Sequence, residues 1–98
     1  MTEQIETRRV HIWVQGRVQG VGFRAYVMQN AFPIGVTGWV RNVGYDTVEA
    51  VAEGSKEQLE EFLHMVKHGP ISSRVDESRE EWEPVTGDFV SFRVKASM

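Results

Sequence analysis

Apolar and polar residues alternate from Val10 to Gln15, with Val10, Ile12 and Val14 on one side and His11, Trp13 and Gln15 on the other. That period of two reads as a strand with one aliphatic face. Phe23, Tyr26, Val27, Asn30, Ala31 and Ile34 then recur at helical spacing. Pro33 is expected to stop this helix near Phe32, because the residue before a proline avoids helical dihedrals. "VTGWVRNV" and "DTVEAVAE" return to strand character and pair as a hairpin about a turn at Gly44 and Tyr45. Ser55 with Gln58 three positions on makes a capping box, after which Leu59, Phe62, Leu63 and Val66 line one face of a second helix ending at "HGP". "SRVDESREEW" alternates poorly and is heavily charged, as suits an edge strand protected from pairing with another chain. "FVSFRVKA" is a last short strand with Val90, Phe92 and Val94 on one side.

Two helices among short strands in this order predict an α+β fold, the ferredoxin-like open sandwich: βαββαβ with a short extra C-terminal strand, a mostly antiparallel sheet and both helices on one face. In that arrangement the first two strands run parallel with the third between them. Their exits face the same edge, so the loop after Gln15 comes near Arg41 and Asn42 across roughly 10 Å. Trp13 and Trp39 alternate out of phase with the aliphatic positions and belong on the open face, as does Arg41, where cross-strand aromatic cover is their simplest role. No repeat, low-complexity tract or linker divides the chain. Residues 1–98 are expected to be a single domain, with 1–7 a flexible N-terminal extension.

Composition narrows the function. Ninety-eight residues suffice for a core without staples, and the absence of cysteine removes a disulfide framework, a thiolate nucleophile and sulfur-bound zinc. No apolar run approaches the length of a membrane span and "MTEQIETRR" is no signal peptide, so a cytoplasmic protein with no membrane partner is expected. A net charge of -3 argues against nucleic acid as a partner. Arg8, Arg9, Arg17, Arg24 and Arg41 nevertheless make the first half mildly basic, the half to which an anion would be drawn.

"GRVQGVGFR", residues 16–24, carries the candidate chemistry. A glycine-rich turn from strand to helix points successive backbone N–H groups at one spot, and the positive end of the helix dipole adds to them. Gly16, Arg17, Val18, Gln19, Gly20, Val21, Gly22 and Phe23 are thus candidate binders of an oxyanion through the main chain, and Arg24 through its paired guanidinium donors. A tight turn with a surface arginine satisfies the same pattern. The stretch lacks the Lys-Ser/Thr of nucleotide-hydrolase phosphate loops and the glycine spacing of dinucleotide folds. It also holds no Ser, Thr, Cys, Asp or Glu to act as nucleophile. An enzyme built on it works by positioning and charge stabilisation, with water attacking and a good leaving group departing.

"GRVQGVGFR" with Ala31, "GVTGWVRN" at 35–42, "VEAVAEG" at 48–54 and "GPISSRV" at 69–75 resembles the acylphosphatase family over nearly the whole chain. The resemblance implies a small ferredoxin-like enzyme that cleaves the carboxyl-phosphate bond of acyl phosphates, releasing a carboxylate and inorganic phosphate. It implies no metal, no cofactor and no phosphoenzyme. It implies that Arg24, which ends the glycine loop, binds the phosphoryl group, and that Asn42, after Gly-x-x-Arg, orients the attacking water. Arg24 is then expected to serve mainly substrate binding and Asn42 mainly turnover, in a chain expected to act as a monomer.

The sequence departs from the family pattern at "NVGYDTV", which puts Tyr45 where a positive backbone dihedral is expected, and at Pro33. His64 and His68, four apart on the second helix, lack a matching third metal ligand, and a cation beside a helix C-terminus explains His68 more simply. A non-catalytic anion-binding module and a nucleic-acid-binding sheet stacking bases on Trp13 and Trp39 are the competing classes. Both fit Arg24 and Asn42, or the acidic balance, less well.

Overall fold

The computed structural model describes residues 6–98. Its elements are β1 (Arg8–Arg17), α1 (Phe23–Ile34), β2 (Thr37–Val43), β3 (Thr47–Gly54), α2 (Lys56–His68), β4 (Arg74–Glu83) and β5 (Phe92–Val94). Most of the expected extension, residues 1–5, lies outside the described residues; Glu6 and Thr7 are exposed and precede β1. The strands form one sheet in the order β4-β1-β3-β2-β5, antiparallel except for the β2–β5 pair. This is the ferredoxin-like sandwich with an added edge strand. Among the described residues no helix is long and apolar enough to cross a membrane.

One face of the sheet buries Val10, Ile12 and Val14 of β1, Val40 of β2, and Val48, Ala50 and Ala52 of β3. Against it pack Phe23, Val27 and Ala31 of α1, and Leu59, Phe62, Leu63, Met65 and Val66 of α2. The alternation of β1 and the helical stripes therefore meet as their periods require. Ser55 and Gln58 cap α2 reciprocally, Gln58 N donating to Ser55 Oγ at 3.2 Å and Ser55 N to Gln58 Oε1 at 2.8 Å.

Four local expectations are corrected. Helix α1 continues through Pro33 to Ile34 and closes on Gly35, whose N–H donates to Ala31 O. Proline's own φ is helical and, so close to the end, the missing N–H costs little of the helix. In the β2–β3 turn the positive φ falls on Gly44 at 61°, and among the described residues only glycines take one, so Tyr45 sits in ordinary backbone with its ring exposed. β5 is only three residues long, and Val90 precedes it, 85% exposed, because residues 84–91 are occupied in crossing the sheet. β1 extends to Arg17, past a register shift at Gln15/Gly16 opposite β4. Gly16, with φ 142°, lies so close to Arg74 O that a Cβ has no room there.

The face away from the helices is covered rather than bare. Trp13 stacks on His11 at 3.7 Å, with Arg79 over its other side, and Arg41 and Lys95 flank Trp39. His11 bridges Glu49 (2.6 Å) and Glu83 (2.8 Å), and Arg9 bridges Glu53 and Glu83. Thr86 and Gly87 donate their backbone N–H groups to Glu53, and Phe89 lies over Arg9, which fastens the crossing segment to this cluster.

Candidate active site

β1 and β2 both run antiparallel to β3, so they are parallel to each other and leave the sheet at the same end. Gln15 and Val43 both pair with Thr47 across β3, and the β1–α1 loop and the β2–β3 turn rise side by side from that level. The loop is pinned at each end by buried apolar side chains, Val18 and Phe23. Between them Gly20 and Gly22 adopt left-handed φ values of 72° and 76° with no neighbour against the missing Cβ, so dihedral freedom rather than space calls for glycine. Gly22 is also the N-cap of α1, a helix with no capping side chain and no acidic residue in its first turn. Its leading N–H groups and positive dipole end therefore meet no capping carboxylate or hydroxyl, an arrangement that suits an anion electrostatically.

Gln19 staples this loop to the turn. Its Nε2 donates to Thr47 O at 2.9 Å and lies within bonding reach of Gly44 O (3.2 Å) and Val43 O (3.3 Å). From the other side, Gly16 N donates to Asp46 O and Gln15 Nε2 to Asp46 Oδ2. A hollow of about 310 Å3 opens beside the loop, lined by Val18, Gln19, Gly20, Gly22, Phe23, Arg24, Ala25, Met28, Asn42 and Val94. Arg24 and Asn42, distant in sequence, thus face one space. Arg9, Arg41 and Arg74 are paired with carboxylates, whereas Arg24 has no carboxylate partner among the described residues. Asn42 Oδ1 is buried and accepts no hydrogen bond from the protein. Asn42 is held through its main chain, its carbonyl accepting from Met98 N at 2.9 Å.

Not every residue proposed from the sequence lines the hollow. Gly16 and Arg17 belong to β1, paired with Val75 and Arg74 across the shifted register, and Val21 packs against the core. Arg41 points to the open face, where its Nε donates to Glu49 Oε1 at 2.6 Å. Conversely, the sequence pattern indicated only the main chain of Gln19 and did not single out Met28 and Val94. Met28 carried a signal, lying one helical turn from Arg24. Val94 carried none, since its place depends on β5 adding parallel to β2.

Elsewhere, burial pushes the Glu49 carboxyl up, but hydrogen bonds from Arg41 and His11 outweigh it and hold the pKa below its ordinary value. For Glu53 the opposing bonds come chiefly from the Thr86 and Gly87 amides, and for Glu83 from Arg9 and His11, with the same net lowering. Burial raises the Tyr26 phenol, whose hydroxyl donates to Met65 O. His64 and His68 line a second hollow, between the helices, with Tyr26, Asn30 and Glu61. No group of three or more His, Cys, Asp or Glu residues is placed to hold a metal ion among the described residues.

Residues 10–94 match the acylphosphatase family profile. The chain belongs to the acylphosphatase family. It is 47% identical over 87 residues to the acylphosphatase of Syntrophotalea carbinolica, covering 89% of this chain and 95% of that one. The crystal structure of acylphosphatase from Bacillus subtilis superposes with a TM-score of 0.85 at 34% identity, covering 90% of this chain and 98% of the other. Full-length HypF, in its phosphate- and nucleotide-bound form, contains a region matching 99% of this chain at 25% identity and a TM-score of 0.88, which is 13% of the HypF chain. This acylphosphatase-family hydrolase carries its glycine loop between β1 and α1.

Proposed function

We propose that the protein hydrolyses acyl phosphates by direct attack of water, without a metal ion and without a phosphoenzyme. The observation that carries this is the meeting of Arg24 and the unpartnered Asn42 Oδ1 in one hollow at an uncapped helix N-terminus. The phosphoryl oxygens are held by loop and first-turn N–H groups and by the guanidinium of Arg24. Asn42 Oδ1 accepts a hydrogen bond from a water in line with the departing carboxylate, whose loose transition state spreads charge over the held oxygens. The new P–O bond forms as the bond to the acyl oxygen breaks, and its electron pair leaves with the carboxylate. Both water protons stay on the phosphate, so an acyl phosphate dianion and water become a carboxylate and dihydrogen phosphate. No Ser, Thr, Cys, Asp, Glu or His lines the hollow, which supports water rather than a side chain as nucleophile.

Phosphate release from benzoyl or acetyl phosphate, measured with a metal chelator present and set against a stable phosphomonoester, tests the reading. Full activity on the anhydrides, almost none on the ester, and no phosphorylated protein in acid-quenched samples are expected, because an alkoxide leaves far less readily than a carboxylate. Activity abolished by the chelator, or equal on both substrate classes, contradicts it.

A further inference from the structure

The hollow is larger than a phosphoryl group held between Arg24 and Asn42 requires. A phosphate group, bridging oxygen included, has five heavy atoms, while about 310 Å3 equals roughly ten water volumes. Past Arg24 and Asn42 the lining is Ala25, Met28 and Val94. Gln19, the other polar side chain on the wall, has its amide nitrogen committed to the turn carbonyls. Met28 lies one turn beyond Arg24 on the same stripe of α1. Val94 is level with Val40 in the β2–β5 pair, two residues before Asn42 on β2, so α1 and β5 each contribute an apolar side chain to the wall. Both side chains are large, apolar and partly open to solvent, at 38% and 41% exposure. Such surface beside a charged site gains by being covered.

Resting on the acyl-phosphate reading, we infer that Met28 and Val94 form an acyl-group shelf that favours an uncharged aromatic or branched-alkyl acyl group over acetyl and over acyl groups carrying a second charge. The phosphoryl group fixes the substrate at Arg24 and the loop, and its acyl end lies along the shelf, where no side chain offers a counter-ion. Because the shelf is only half enclosed, it grades substrates rather than excluding them.

The test compares kcat/KM for benzoyl and acetyl phosphate in the parent protein, Met28→Gln and Val94→Thr, changes that keep side-chain size and suit a helix and a strand. The benzoyl preference, the ratio of the two kcat/KM values, is expected to fall about three- to fivefold in each variant. Hydrolysis of both substrates with the same preference in all three proteins overturns the shelf and leaves the proposed function standing. If the parent hydrolyses neither, that function falls, and binding of two inert phosphonates decides on the shelf alone. Tighter binding of benzylphosphonate than methylphosphonate, lost in both variants, upholds it; equal affinities refute it.

Discussion

Asn42 shows how far one atom narrows the chemistry. A buried oxygen without a donor costs about 1–3 kcal/mol, and Asn42 Oδ1 is the one side-chain atom of this kind among the described residues. In the proposed mechanism, a water whose hydrogen it accepts supplies both the missing partner and the attacking group. Asn42→Ala should therefore lower kcat about a hundredfold with little change in KM or thermal midpoint, since the lost atom makes no bond within the fold. Arg24→Ala should instead raise KM about tenfold or more, because its bonds to a dianion are already made in the bound state. Steady-state kinetics on acetyl phosphate and a melting curve for each variant check the split, and an Asn42→Ala enzyme with unaltered kcat contradicts it. Arg24 was singled out in the sequence as a guanidinium suited to an oxyanion at the end of a glycine loop, and Asn42 through the resemblance of "GVTGWVRN" to the family. The burial of Asn42 Oδ1 was not legible, since it depends on neighbours contributed by distant segments.

Among the elements, the strand–loop–helix unit from β1 to α1 was legible in outline and less so at its edges. Glycine density announced a turn with left-handed backbone, and Gly20 and Gly22 take that conformation. At Gly16 the glycine also answers to the close approach of β4. Gln19 had an undetected part: three carbonyls, of Val43, Gly44 and Thr47, converge on its amide, which ties the glycine loop to the turn that follows Asn42. Its reach follows from register, since Gln15, Thr47 and Val43 share one level of the sheet, and register across separate strands is not written in local spacing. Pro33 misled for a physical reason too, because near a helix C-terminus its restriction removes little that the helix still needs.

At the scale of the molecule, the strand order is what makes a site. With β3 between β1 and β2, the loop and Asn42 emerge at one end of the sheet. The crossing segment 84–91 works at the other end, reaching the β5 edge so that Val94 comes to the hollow. Glu49, Glu53 and Glu83, on the covered face, all have lowered pKa values. The unfolded chain binds protons more readily at these groups than the folded one, so their stabilisation is present above the ordinary carboxylate range and is lost as pH falls through it. The melting temperature should decline from pH 6 to pH 3, and Glu53→Gln should melt lower at pH 6 with a shallower decline; an identical pH profile in that variant contradicts the assignment. The measurement that bears most directly on the proposed phosphate cup is an amide NMR titration of the labelled protein with inorganic phosphate. Saturable shifts in residues 18–24, weakened in Arg24→Ala, are expected. Shifts confined to another surface, such as the hollow beside His64 and His68, with 18–24 unmoved, would contradict it.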